Sequence, residues 1–381
     1  MDDLSVYFFE TGFQNSIPGI KQGFPAFAFP FFGEYFLLDV ALYNFVALTD
    51  NIFILLDQNI YKVGLSLVDR WERKKPELLV GDESVDLFIH HLQEQKVEYV
   101  VLSSLSYVGF FESERLKEIV EGDRYSIVKL SLENTPVEVY ICNRKELIKL
   151  LKRSRRGIGR KEKLADYLFE NFLLTNFDII RDIPGKLFFN NSIEQIYESN
   201  LKLINILSNS ELVNFFNSME KFITTRSDSY ISSKGYVKNS FISRDVQIEG
   251  YVENSIIYPG VKISRGARVM DSVVMNGNII CRNASVIHTV VLPNTRELKP
   301  GGCNIGDSSA IGERKRGIIN SKYPNQIKDG LTVIGFNADL PHGCKIEAGC
   351  VVESDVSFSR IRNFKNFKRG QTIEAERVEG S

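Results

Sequence analysis

"IGFNADLPHGCKIEAGCVVESDVS", residues 334–357, divides into four six-residue units that open on Ile334, Leu340, Ile346 and Val352. Four positions after these stand Ala338, Cys344, Cys350 and Val356. A bulky aliphatic followed four residues later by a small or branched one is the hexapeptide repeat of a β-helix. Three such sides close a triangular coil, with the aliphatic filling the interior and the small residue leaving room at the corner. No single coil buries its inner face, so coils must stack. Helices of this kind wind left-handed, against the usual right-handed crossover rule.

The same period runs upstream. Tyr251, Ile257, Ile263, Val269, Met275, Cys281 and Ile287 recur every six residues, and Ala267, Val273 and Ile279 stand four positions after members of that series. The pattern predicts a β-helix over 235–375 with Ile257, Ile263, Val269, Ile334, Leu340 and Ile346 pointing inward. The stretch 289–330, with "LKPGGCNIGD" and "RKRGIINSKYPNQ", breaks the period and is expected to loop out between coils. Residues 376–381 form a tail.

Ahead of a linker at 209–234, residues 1–208 follow another grammar. "NIFILLD" (51–57) and "VEYVVLSS" (97–104) are short apolar runs rich in β-formers, each reading as a buried parallel strand. Between them Val85, Phe88, Ile89 and Leu92 share one helical face. "VEVYICNR" (137–144) reads as a strand leading into the helical "KELIKLLKR". A last helix is expected over 192–208, with Ser192 as its N-cap. Strands alternating with helices predict a doubly wound α/β sheet.

The 381 residues are 43% hydrophobic and 25% charged, as in an ordinary soluble chain, and leave room for two domains. A formal net charge of −1 provides no field for nucleic acid or an acidic membrane, so neither is expected as a partner. The basic run at 151–163 reads first as a solvated face. Cys142, Cys281, Cys303, Cys344 and Cys350 form no CxxC pair and are odd in number, which argues against a disulfide framework or zinc site and for a reducing compartment. The start "MDDLSVYFFETGF" lacks a basic leader region, and no apolar run reaches the roughly 20 residues of a membrane span. A cytoplasmic protein is the expectation. His90 and His91 read as surface residues of a helix. His342, at a turn of the repeat, invites comparison with the catalytic histidine of hexapeptide acyltransferases, the weaker of its two readings.

Three segments carry a family resemblance. "FPAFAFPFFGEYFLLDVALYN" (24–44) resembles the P-F-G-G-K-[FY]-R-[IL]-I-D-F-x-L-S-N segment of ADP-glucose pyrophosphorylases (glucose-1-phosphate adenylyltransferases), through Pro30, Phe31, Gly33, Tyr35, Leu37, Asp39, Leu42 and Asn44. "GKLFFNNSIEQIYESNLKLI" (185–204) is similar to the family's G-Y-W-x-D-x-G-[ST]-I segment. "GYVENSIIYPGVKISRGARVMDSVVMNG" (250–277) is similar to the opening of its β-helix. The resemblance implies a nucleotidyltransferase-like domain ahead of a left-handed β-helix. It makes Pro30, Gly33, Asp39 and Asn44 remnants of a substrate-site wall, with Asp39 also readable as a structural helix residue.

The family's chemical groups are missing from the corresponding places. Its G-G-x-G-x-R-L loop cradles the triphosphate with backbone N–H groups and an Arg. Here the ungapped counterpart is "TGFQNSI" (11–17), with Ser16 in place of the Arg. The Lys of R-A-K-P falls on Ala26 and the preceding Arg on Phe24, which leaves Lys21 the single cation between 6 and 36. The metal-binding Asp of [VI]-L-x-G-D-H falls on Leu105, after Ser104. A second metal ligand falls on Phe189, or on Asn190 with a one-residue slip. None of these is the carboxylate a Mg²⁺ site needs. The sugar-phosphate Lys falls on Asn134, and the segment between "RWERKKPELLV" and "VEYVV" is contracted.

The resemblance is therefore closest to the family's non-catalytic regulatory subunit, with no cofactor or metal of its own. Its expected partner is a catalytic pyrophosphorylase subunit or a second copy, with a sugar phosphate or nucleotide as effector. The alternatives are an active sugar-phosphate nucleotidyltransferase with relocated groups and a stand-alone sensor or scaffold.

Overall fold

The computed structural model describes residues 3–374, apart from 12–16, 21–23, 32, 81–83, 106–107, 112, 123–124, 155–162, 189–191, 207–213, 215–217, 220–227, 297–301 and 358–365. Most of the linker, all of the tail and most of the basic run lie outside the described residues.

The N-terminal half is built on a seven-stranded mixed sheet. Its strands are β1 (Leu4–Phe9), β2 (Ile52–Leu56), β3 (Glu77–Val80), β4 (Tyr99–Ser104), β5 (Ile127–Leu132), β6 (Thr135–Asn143) and β7 (Ile179–Ile183), in the order β7-β5-β6-β4-β1-β2-β3. Interior strand β1 pairs parallel with β2 on one side and β4 on the other. β6 runs antiparallel to both β4 and β5. Sequence reading recovers β2, β4 and β6 but overlooks β1. That strand is covered on both faces, and "LSVYFF" is buried at every position, Ser5 included, with none of the alternation of a half-exposed strand.

Helices follow their apolar faces. Val85–Glu94 buries Val85, Phe88, Ile89 and Leu92, and the Ser84 hydroxyl accepts the Leu87 N–H at its start. Ile193–Ile206 begins where the Ser192 hydroxyl accepts the Gln195 N–H at 3.1 Å. His90 is exposed as expected. His91 is not a plain surface residue, for its ring meets Tyr7 and Phe53 edge-on at 5.6 and 4.9 Å.

The C-terminal half is a left-handed β-helix. Two of its faces are seven-stranded parallel ladders and the third has four strands. Ile257, Ile263, Val269, Ile334, Leu340 and Ile346 all lie in its interior. The strict six-residue register fails elsewhere. Ile263 pairs with Ile280, 17 residues on, so most coils in this region fall one residue short of three full hexads. The shortening occurs at a corner where Asn254, Asp271 and His288 take left-handed φ of 48°, 47° and 50°. The interior series therefore continues through Val274, Ile280 and Val286 instead of Met275, Cys281 and Ile287. Tyr251 likewise lies outside the interior, and Val252 replaces it.

Two further expectations are corrected. The stretch 289–330 is not one insertion. Thr289–Val291 pairs with Thr332–Ile334, while Ile305 and Ile311, six apart and fully buried, rejoin the coil between two excursions. Cys281 and Cys303 form a disulfide with Cα atoms 6.0 Å apart, because the first excursion returns Cys303 beside the strand that ends before Cys281. Spacing alone could not reveal that fold-back. Cys142, Cys344 and Cys350 are buried and take no part in a disulfide.

One apolar core spans both halves. Phe27, Phe29 and Phe31 of the first half and Tyr258, Met275, Leu292, Val333 and Phe336 of the β-helix belong to the same buried cluster. Met275 thus points outward from its coil, into the seam between the halves.

Candidate functional site

In an open α/β sheet a nucleotide binds beyond the carboxyl ends of the strands, where the strand order reverses. Here that point lies between β1 and β4. The groups found there are Glu10 and Thr11 after β1, Leu105 after β4, and the loop around Ala26. The Glu10 carboxylate accepts the backbone N–H of Ala26 and of Phe27, each at 3.1 Å. A fixed anion thus occupies the backbone donors of this loop, leaving them unavailable to a phosphate. Thr11 Oγ1 and Ser104 Oγ lie 2.6 Å apart and tie the two strand ends together. Leu105 is buried in the shared core, and its N–H donates to the Phe9 carbonyl at 3.0 Å. Leu105, at the position where the resemblance puts a metal-binding carboxylate, is therefore apolar and offers a divalent cation no ligand. Ser16, Lys21, Phe189 and Asn190 lie outside the described residues.

The remnant motif residues do structural work. α1 (Leu37–Val46) starts at Phe36, whose N–H donates to Asp39 Oδ2 at 2.9 Å. The fully buried Asp39 also receives Trp71 Nε1 at 2.9 Å and Arg70 Nη1 at 3.0 Å. Burial pushes its carboxyl up, against the downward pull of Arg70 and the other donors. Asn44 clamps a neighbouring strand, donating to the Gly109 carbonyl at 2.7 Å and accepting the Phe111 N–H at 3.3 Å. Pro30 sits in a short antiparallel pair opposite Phe36. Gly33, at φ +70°, lets the loop press on the β-helix, where a Cβ would come within 2.6 Å of Ser243 Oγ. The adjoining Glu34 pairs with Arg244 at 3.5 Å. The segment that raises the family resemblance is thus also the seat of one half on the other.

The other substituted positions have local roles. Phe24 packs on Phe336 with ring centroids 4.9 Å apart. Glu133 and Asn134, at φ 51° and 60°, make the two-residue hairpin between β5 and β6, where the Asn134 N–H donates to Asp182 Oδ1 at 2.9 Å. His342 is exposed, and its Nδ1 accepts the Asp307 N–H at 2.9 Å.

A cleft of about 540 Å³ opens where helix Ile193–Ile206, the left-handed corner of the β-helix and the second excursion converge. Arg314, Lys315, Arg316 and Lys328 face Glu194, Glu198, Asp271 and Asp329 across it. The Tyr197 hydroxyl lies 2.7 Å from the Asp271 carbonyl and 3.0 Å from His288 Nδ1. His288 Nε2 in turn lies 3.2 Å from the Asp329 carbonyl, and Arg314 pairs with Asp271. Burial holds the His288 imidazole below its usual range, although its contact with Asp329 pulls the other way. Burial also pushes the Glu194 carboxyl up, helped by Glu198. The cleft joins three segments distant in sequence, so no local motif announces it. The run "ERKRG" at 313–317 was the one available signal.

Comparison with known proteins agrees with the hexapeptide β-helix and with the family resemblance in the sequence. Residues 220–322 match the family described as GlmU-like, C-terminal hexapeptide. The chain is 31% identical over 170 residues to glucose-1-phosphate adenylyltransferase of Acetivibrio thermocellus, a match covering 42% of this chain and 36% of that protein. It is 31% identical over 168 residues to the Fervidobacterium nodosum protein of the same name, covering 43% and 37%. The Desulfitobacterium hafniense protein of that name is 22% identical over 240 residues, covering 61% and 50%. The chain thus spans half or less of the length of these relatives. Among the described residues, no helix is long and apolar enough to cross a membrane.

Proposed function

We propose that this chain is a non-catalytic, regulatory or structural subunit of an ADP-glucose pyrophosphorylase assembly in glycogen synthesis. The observation that carries the reading is Glu10, whose carboxylate takes the loop N–H groups at the expected nucleotide crevice. A triphosphate brought there would meet like charge and hydrogen-bond donors already in use. With Leu105 in place of a metal carboxylate, the crevice lacks the electrostatic stabilisation on which phosphoryl and nucleotidyl transfer depend. The alternating resemblance in sequence, strong in the scaffold and absent in the chemical groups, fits a chain retained for its surfaces.

Its partner in this reading is the catalytic pyrophosphorylase subunit, and its effector is a sugar phosphate or nucleotide. The His288 cleft suits that role, since it joins both halves and offers cations beside hydrogen-bonding groups. An effector there that favours one arrangement of the halves would bias the partner's active conformation. Typical coupling of about 1–3 kcal/mol corresponds to roughly 5–150-fold changes in affinity. The test is to mix the protein with the catalytic pyrophosphorylase of the same cell. Co-elution, with an altered substrate affinity or effector response, is the expected result. Elution, affinity and response all unchanged would favour a stand-alone sensor or scaffold.

A further inference from the structure

The β-helix carries a second anion site, which we infer from an irregularity in its register. On the four-stranded face Ile231 pairs with Ile248, Ile248 with Ile263 and Ile263 with Ile280. On the next face Tyr236 pairs with Tyr251, Tyr251 with Arg268 and Arg268 with Ser285. The corner between these faces therefore takes five steps in the first, third and fourth coils but only three in the second, from Ile248 to Tyr251. Two residues are missing, and the corner is cut back to Glu249–Gly250. Only glycine permits this, since a Cβ on Gly250 would lie 2.4 Å from the Ala267 carbonyl oxygen.

The recess left behind is a groove of about 660 Å³. On one side stand Ser232, Ser233 and Lys234 of the first coil, and on the other Arg265 and Arg282 of the third and fourth. The two arginines occupy equivalent corner positions, each just before a left-handed residue, Gly266 at +77° and Asn283 at +56°. Adjacent coils of a parallel sheet lie roughly 4.8 Å apart, close enough for one tetrahedral anion to meet both guanidinium forks. Among the described residues neither arginine nor Lys234 has a carboxylate partner. Glu249 is the one acid lining the groove, and Asp307, beyond Arg282, accepts the Arg282 backbone N–H at 2.9 Å.

We propose that this recess binds the phosphoryl group of a phosphorylated polyol. Arg265, Arg282 and Lys234 hold the phosphate, while Glu249 and the serine hydroxyls take hydroxyls of the attached carbon chain. The site is separate from the His288 cleft, and the proposal does not depend on the catalytic state of the protein.

The test is calorimetric titration of the full chain with inorganic phosphate and with glycerol 3-phosphate. Both should bind, and the double variant Arg265→Gln/Arg282→Gln should weaken both at least tenfold with the thermal midpoint unchanged. Both arginines are exposed at corners, so folding is preserved. Glu249→Gln should strengthen inorganic phosphate relative to glycerol 3-phosphate. Lys149→Gln, on a helix of the first half outside both clefts, should leave both unaffected. No binding by the parent, or equal binding by the double variant, would each overturn the assignment.

Discussion

The Glu10 carboxylate accepts the backbone N–H of Ala26 at 3.1 Å, joining the end of β1 to a loop at the expected nucleotide crevice. Its other oxygen holds Phe27. If this contact stabilises the loop, Glu10→Ala should lower stability by about 1–3 kcal/mol, the typical cost of leaving partly buried donors unpaired. Denaturant unfolding measures this directly. An unchanged midpoint would mean that the carboxylate is not engaged there.

The register of the β-helix makes a sharper prediction from neighbouring residues. Val286 faces the coil interior, whereas Ile287, favoured by a strict six-residue count, does not. Val286→Asp should abolish the folded β-helix by burying an unpaired charge, while Ile287→Asp should cost far less. Circular dichroism and thermal melts of the two variants decide it. The reverse order of damage would restore the strict register.

The Cys281–Cys303 disulfide closes a loop with a sequence separation of 22. Cross-links of that size stabilise by about 3 kcal/mol in the chain-entropy account. Cys303→Ser should therefore lower the unfolding midpoint in the absence of reductant, and excess reductant should bring the parent down to the variant. Thiol counting under denaturing, non-reducing conditions should find three free cysteines. Five would exclude the bond.

A pH effect follows from His288, whose folded-state pKa is depressed by burial. The fold prefers the neutral imidazole, so its contribution is present above the unfolded value of roughly 6.5 and is lost as pH falls through the folded value. His288→Asn keeps a residue suited to the left-handed corner, as Asn254 is two coils earlier. Between about pH 7.5 and about pH 5 the parent should lose stability relative to this variant. A difference that stays flat over that window would show that the imidazole does not titrate as described.

The repeat at 334–357 was legible because each hexad is intact and its aliphatics face a single interior. Upstream, the five-residue corner at Asn254, Asp271 and His288 shifts the register, and only the ladder pairing reveals the shift. Asp39 and Asn44 looked like remnants of a site because motif position records ancestry. Their present bonds, to Trp71, Arg70 and the backbone of residues 109 and 111, depend on tertiary neighbours. The Glu10 carboxylate at the crevice was not legible in the sequence either, since its bond to the loop depends on the fold bringing residues 10 and 26 together.

The central claim is tested most directly by turnover of the purified protein, freed of any host pyrophosphorylase, with ATP, glucose 1-phosphate and Mg²⁺. With a carboxylate at the nucleotide loop and Leu105 at the metal position, no ADP-glucose above background is expected. Formation of ADP-glucose at even about one per second, within the ordinary range of enzyme turnover, would contradict the account.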